Sequence, residues 1–303
     1  MSELERIGIV GGGLMGHGIA GVFAACGHRV RVCDSSAETL AKLQQRVRQN
    51  LSDLNQDTRA ADYVTPCATV GEAVAQADVV FEAGPENLEI KQQLFANIER
   101  AAPPHALLAS NTSVIPITAI MQGLSRKERA LGTHWWNPPY LIPLVEVIRT
   151  NATSADAVQR MRELLLRVGK KPVTVNKDVP GFVGNRLQHA LWREAISLVQ
   201  NGVCDAETID LVVKAGFGRR LAVLGPLENA DLVGTDLTLA IHATVLPDLD
   251  RTAGALPYLR ELVASGKLGM KSGEGFRTWT PEQQEQLRQT VLTHLRSLAS
   301  LGL

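Results

Sequence analysis

Aromatic side chains are scarce in this 303-residue chain, which has six Phe, four Trp and three Tyr. Net charge is missing altogether, because Lys+Arg and Asp+Glu both number 31. That balance removes the basic footprint by which a chain holds nucleic acid or an anionic membrane surface, so neither is expected as a partner. No apolar run reaches the roughly 18 residues of a membrane-spanning helix. The opening "MSELERIGIVGGG" enters a strand at once and does not fit a signal peptide. Four cysteines, Cys26, Cys33, Cys67 and Cys204, show no CxxC or Cys/His spacing. They read as reduced thiols of a cytoplasmic protein. Seven scattered His form no HxxxH pair, and no metal site is expected.

What the chain does have is apolar residues, 45% of the total, ample for a core and for two domains. The first half alternates short apolar runs with amphipathic stretches. Strands are expected at 6–10, 29–33, 64–68, 77–83, 106–110, 130–135, 144–149 and 172–175. Helices are expected at 14–26, 40–54, 88–101 (capped by Asn87) and 154–168. Such alternation indicates an α/β domain with a mostly parallel sheet. From Gly181 on, only helical periodicity is found, over 183–200, 206–215, 229–246, 258–265 and 282–301. A boundary is expected near Asp178–Gly181, giving a Rossmann-type α/β domain over 1–179 and an all-α domain over 180–303.

"IGIVGGGLMGHGIA" holds Gly11-x-Gly13-x-x-Gly16 directly after a strand and at the opening of a helix. Glycines there permit a tight turn and close backbone approach, and the helix start offers free N–H groups to a pyrophosphate. The next strand ends at Asp34, whose carboxylate suits two ribose hydroxyls and repels a 2′-phosphate. NAD is therefore the expected cofactor, although Arg31 lies close in sequence. The expected cofactor residues are Gly11, Gly13, Leu14, Met15, Gly16 and Asp34.

The stretch "GTHWWNPPYLIPLVEV" sets two Trp beside a His and puts a Glu inside an apolar strand. Both faces of "LVEVI" are apolar, so an unpaired Glu146 costs several kcal/mol or takes up a proton. It needs a partner, and His134, at the end of the preceding strand, is the candidate. A carboxylate bonded to one imidazole nitrogen fixes the tautomer and makes the ring a general acid/base. The alternative is a strand-end His with Glu146 paired to an Arg. "ASNTS" places Ser110 to Ser113 after a strand, where hydroxyls hold a substrate oxygen or cap a helix. In "VPGFVGNRLQ", Asn185 opens a helix, as a site amide or as a structural one.

In order, "IGIVGGGLMGHGIA", "ADVVFEAGPENLEIKQQLF", "ASNTS", "GTHWWNPPYLIPLVEVI", "VPGFVGNRL" and "SGKLGMKSGEGF" make the chain resemble the 3-hydroxyacyl-CoA dehydrogenase family over essentially its whole length. The resemblance implies an NAD-dependent dehydrogenase with His134 and Glu146 as catalytic dyad, and Ser113 and Asn185 at the reacting oxygen and the base. It also implies Glu86, Lys91 and Asn137 on the nicotinamide side, and a helical domain that pairs two chains into a homodimer. By sequence alone, Glu86 and Lys91 read as helix-start and surface charges.

Two departures bear on the substrate. Acyl-CoA members carry a long helical hairpin between the second and third strands, where this chain has only Ser35 to Tyr63. They also commonly have Phe after the His, where this chain has Trp135 and Trp136. The form "NPPYLIPLVE" is closer to the branch of lambda-crystallin/gulonate dehydrogenases and a pyridine-carboxylate dehydrogenase. Two indoles offer flat walls for a planar substrate, or are core filler. Arg219 and Arg220 offer forks for a carboxylate, or end a helix at the surface. The small-molecule substrate is thus either a 3-hydroxyacyl-CoA or a free hydroxy acid or aromatic alcohol. Competing readings are a catalytically silent, crystallin-like NAD-binding protein and a 6-phosphogluconate-type enzyme. The second of these calls for a Lys where Asn185 stands.

Overall fold

In a computed structural model of the chain, which describes residues 4–301, the apolar runs of the first half become one eight-stranded sheet. In chain order the elements are β1 Arg6–Val10, α1 Leu14–Ala25, β2 Arg29–Cys33, α2 Ala37–Ala41, α3 Leu43–Asp53, β3 Val64–Cys67, α4 Val70–Val74, β4 Val79–Glu82, α5 Leu88–Ala101, β5 Leu107–Ser110, α6 Ile117–Ile120, β6 Ala130–Trp135, β7 Leu144–Ile148, α7 Ala155–Arg167 and β8 Lys171–Val175. The strand order is β3-β2-β1-β4-β5-β6-β7-β8. All neighbouring pairs are parallel except β6 with β7. The order reverses between β1 and β4, the crevice where sheets of this kind bind ligands.

Both faces of the sheet are covered, which is why its strands read as continuous apolar runs rather than alternating ones. On one face Ile7, Ile9, Val30, Val32, Phe81 and Trp135 pack with residues of α1, α3 and α7. On the other, Val10, Val80, Leu108 and Ile148 pack with residues of α4, α5 and α6. Local chemistry sets the helix starts. Asn87 Oδ1 accepts the Ile90 amide at 3.0 Å, and Ser154 Oγ accepts that of Ala157 at 3.1 Å. Gly169, with φ of +76°, takes the left-handed turn that ends α7.

The stretch between β2 and β3 departs from the expected single helix. It breaks at Lys42 into α2 and α3 and ends in a 3₁₀ helix over Thr58–Tyr63. Leu43, Val47 and Leu51 of α3 are buried in the core with α1, so this segment is part of the Rossmann layer.

A second unit begins at Leu187, inside the helix α8 Gly184–Gln200. The division falls past the expected 179/180 boundary because residues 183–185 are hydrogen-bonded to the first unit. The second unit goes on through α9 Ala206–Ala215, α10 Pro226–Val233, α11 Thr235–Val245, α12 Pro257–Ala264 and α13 Pro281–Ser300. The helix expected over 229–246 is two helices, because Gly234, with φ of +100°, turns the chain between α10 and α11. Large apolar side chains of this unit stand open, among them Leu227 at 80%, Leu232 at 72% and Leu239 at 72% exposure. No helix among the described residues is long and apolar enough to cross a membrane.

Candidate active site

The carboxyl ends of β1, β4, β5 and β6 meet at one edge of the sheet. At β1, Gly11 has φ of +105°, and a Cβ there would lie 2.5 Å from the Ala83 carbonyl oxygen. A Cβ on Gly16 would lie 1.7 Å from the Gly11 oxygen. Neither position accepts a side chain. Gly13 caps α1 without any side-chain bond, which leaves the first helical N–H groups open to an anion. Leu14 is exposed, and Met15 is half-buried against the core. Asp34 follows β2, and its two oxygens accept the amides of Gly12 (2.7 Å) and Ser36 (2.8 Å). The turn is thereby tied to the carboxylate that a ribose would meet. Turn, open helix start and carboxylate together fit NAD. Arg31 lines a different pocket, with Tyr63 and Thr65.

His134 and Glu146 are register partners on the antiparallel pair β6 and β7. His134 Nδ1 lies 2.7 Å from Glu146 Oε2, and both side chains are buried. Oε1 accepts the amides of Val183 (2.9 Å) and Gly184 (3.0 Å). Burial pushes the Glu146 carboxyl up. The His134 bond, the two amides and the charge of His134 outweigh it, and the group sits below the usual carboxylate value. An ionised carboxylate only accepts, so Nδ1 carries the proton. Nε2 is then the proton-accepting nitrogen, and it has no hydrogen-bond partner among the described residues.

The two amides converge because Gly181 (φ +74°) and Phe182 (φ +50°) are successive left-handed residues. Such a turn makes a nest of N–H groups. For a bulky, buried Phe182 this conformation costs about 1–2 kcal/mol. The Phe182 ring in turn lies 5.6 Å from that of His134.

Ser113 is exposed, and its carbonyl accepts Asn185 Nδ2 at 2.8 Å, so the two expected residues are joined through backbone. Glu86 organises the same loop. It accepts Thr112 Oγ1 at 2.5 Å and the amides of Ser113 (3.0 Å) and Val114 (3.2 Å). Burial raises its pKa, but the Thr112 bond, Lys91 and the two amides bring it below the ordinary value. Lys91 has no exposed surface. Its ammonium bonds Glu82 at 2.8 and 3.1 Å and stands 3.6 Å from Glu86. Asn137 is exposed on the turn that joins β6 to β7.

Trp135 does not face a substrate. Strand alternation turns it away from His134 into the core, 2% exposed, against Phe23 and Phe81. Trp136 shares the face of His134, with ring centroids 5.1 Å apart. Its indole fits only because residue 184 is Gly, where a Cβ would lie 2.4 Å from the ring. The indole Nε1 is closed off with no hydrogen-bond partner. Arg219 and Arg220 lie in the second unit, exposed on the 3₁₀ turn Phe217–Arg220.

Two site-supporting residues were missed in the sequence. Glu82 lies fully buried in β4, held by Lys91, the Gly84 amide and Ser110 Oγ. Its signal was the one that singled out Glu146, a carboxylate inside an apolar strand. Lys170 follows α7, and its buried ammonium donates to the carbonyls of Pro139 (2.5 Å) and Ile142 (3.1 Å). It thereby pins the turn between His134 and Glu146, and burial holds its pKa down at about 8. Nothing in its local sequence marks it.

Comparison with known proteins agrees with this geometry. The family model for the 3-hydroxyacyl-CoA dehydrogenase NAD binding domain matches residues 6–179, and that for the C-terminal domain matches residues 181–279. A curated relative, 5-formyl-3-hydroxy-2-methylpyridine 4-carboxylate 5-dehydrogenase of Mesorhizobium japonicum, is 37% identical, with 94% of each chain covered. A solved structure of an enzyme of the same name, described as an NAD+ dependent dismutase, superposes with a TM-score of 0.92 at 34% identity over 99% of each chain. The (S)-3-hydroxybutyryl-CoA dehydrogenase structure from Ralstonia eutropha gives a TM-score of 0.76 at 32% identity, covering 92% of this chain and 100% of that one. The chain belongs to the 3-hydroxyacyl-CoA dehydrogenase family and is an NAD-dependent oxidoreductase built on a Rossmann-type domain followed by a helical one.

Proposed function

We propose that the enzyme oxidises a small free acid carrying an alcohol or aldehyde on a planar ring, with His134 and Glu146 as its acid–base dyad. The observation that carries the substrate class is α3. It buries Leu43, Val47 and Leu51 in the Rossmann core, so the segment that would form a nucleotide-covering arm is spent on packing. The likeness to known structures supports the same side. At nearly equal identity, the backbone follows the pyridine-carboxylate enzyme at 0.92 and the CoA-ester enzyme at 0.76. Trp136 supplies a flat wall beside His134.

In this reading Gly11, Gly13, Leu14, Met15, Gly16 and Asp34 hold the cofactor, with Glu86 and Asn137 toward its nicotinamide end. Lys91 acts on that end through Glu82 and Glu86. Bound NAD supplies the hydride acceptor. His134 Nε2 takes the hydroxyl proton of the alcohol, or of the hydrate formed when water adds to the aldehyde, as the carbon loses hydride, and Glu146 holds the resulting imidazolium. The Ser113 hydroxyl donates to the oxygen, and Asn185, whose Nδ2 donates to the Ser113 carbonyl, holds that loop in position. In the reverse direction the imidazolium returns the proton. The reaction takes place in the cytoplasm, where NAD and reduced thiols are found.

The decisive experiment is NADH formation with a panel of pyridine and benzene hydroxy and aldehyde acids against L-gulonate and 3-hydroxybutyryl-CoA. The ring acids are expected to lead the CoA ester by about 100-fold in kcat/KM. A preference for the CoA ester would refute the substrate class. NAD binding without turnover of any substrate would favour the silent, crystallin-like reading. We further infer a homodimer formed through the open apolar helices of the second unit. Light scattering is expected to give twice the 32.7 kDa chain mass, and a monomer mass would overturn it.

A further inference from the structure

At the amino end of the sheet, three arginines share one face. Arg6 and Arg29 are register partners on β1 and β2. Arg31 stands two residues beyond Arg29 and so points to the same side. Like charges set opposite one another on neighbouring strands repel, and here the compensation is partial. Asp78 takes Arg6 through bonds of 3.0 and 2.8 Å. Asp62, beside them, is taken by Arg48 at 2.6 Å. Arg29 and Arg31 have no ion-pair partner among the described residues. The Nε of Arg31 is closed to solvent and has no hydrogen-bond partner.

Space is left over this face. The register partners of Arg31 are Gly8, which has no side chain, and Thr65. The result is a cavity of about 300 Å³ lined by Arg6, Arg29, Arg31, Tyr63, Thr65 and Gln76, among others.

We propose that this cavity is a second binding site, for a small, multiply charged anion of the phosphate class. A guanidinium fork matches phosphate oxygens two at a time. The hydroxyls of Tyr63 and Thr65 and the amide of Gln76 add neutral donors. The volume lies at the low end of the range for ligand sites, about 300–1,000 Å³. It suits pyrophosphate or a small phosphate monoester and excludes a whole dinucleotide. The site is separate from the cofactor turn, because Arg29 opens β2 and Asp34 follows its end, roughly 16 Å along the strand. An anion held there relieves the repulsion of three guanidinium groups and ties β1, β2 and β3 together.

The test is calorimetric titration of inorganic pyrophosphate into the full chain saturated with NAD, so that the glycine turn is filled. One saturable site per chain is expected. Binding should weaken about tenfold or more in Arg31→Met and in Thr65→Glu. The second variant sets a carboxylate at an exposed position, so it decides the matter even if Arg31→Met fails to fold. Turnover should persist in both. No binding to the NAD-saturated protein, or unchanged binding in Thr65→Glu, would overturn the proposal.

Discussion

Glu146 with His134, and Glu82 with Lys91, are two carboxylates drawn into the interior at the same edge of one sheet. Each is bonded by a partner that can carry positive charge, at 2.7 Å and 2.8 Å, and each accepts further bonds. They differ in what is left over. Lys91 bonds Glu82 and the Gly84 carbonyl (3.3 Å) and stands close to Glu86, so its capacity is taken up within the protein. His134 gives one nitrogen to Glu146 and keeps the other free among the described residues. Burial alone therefore does not mark chemistry. A buried ionisable group becomes reactive where the fold satisfies one of its valences and leaves another facing open space.

The sharpest break of that contrast is His134→Ala. Turnover is expected to fall by about 10²–10⁴-fold while NAD binding persists, as followed by steady-state kinetics and fluorescence titration. Near-normal turnover would remove the dyad from the mechanism. Lys91→Met should act on the other pair, through stability. It leaves Glu82 buried without its cation, at a cost of about 3–5 kcal/mol in denaturant melts. Removing both charges, in Lys91→Met with Glu82→Leu, should recover most of that loss. A double variant as unstable as the single one would mean that the loss comes from packing and from the Gly84 and Ser110 bonds rather than from an unpaired charge.

Glu146→Gln keeps the shape but loses the ionised acceptor. Turnover should fall by roughly 10²-fold, the low end for acid–base catalysis, and thermal stability should fall as well because the Val183 and Gly184 amides meet a weaker acceptor. The smallest effect is on pH dependence. Glu146 and Glu86 are both held below the ordinary carboxylate range in the folded protein. The unfolded chain thus binds more protons in that window. The stability they contribute is complete above the unfolded carboxylate values, about 4.3, and is lost as pH falls through the lower folded ones. Acid titration of the melting temperature should show this slope, and Glu146→Gln should flatten it. An unchanged slope would mean that other carboxylates govern acid unfolding.

Much of the fold was legible because its signals are local. Short apolar runs located the strands and period-3.6 patterns most helices, and Asn87 and Ser154 marked helix starts by caps that they do form. The glycine turn was legible from its spacing after a strand, and Gly16 is required by a contact with nearby Gly11, whereas the crowding at Gly11 comes from Ala83, far along the chain. The breaks at Lys42 and Gly234 were not read, because both flanks are helical and one turn between them does not disturb the periodicity. Within the site, Glu146 was legible from its misfit in an apolar strand, and Glu82 carries the same misfit.

What escaped depends on contacts far apart in the chain. Lys170 and Phe182 act on the dyad through the 138–143 turn and the 183–184 amides, and no short window contains both ends of such a contact. Trp135 and Trp136 look alike in sequence, yet the side of the sheet on which each lies separates a core residue from a wall of the site.

By itself, the sequence determined the residue types, their order and the pattern of burial, because these follow from side-chain chemistry and backbone period. Only the tertiary structure decided which buried charges are satisfied and which keep a free valence. That outcome is a sum over groups from β4, β6, β7 and the 181–185 turn, brought within bonding distance by the sheet's register.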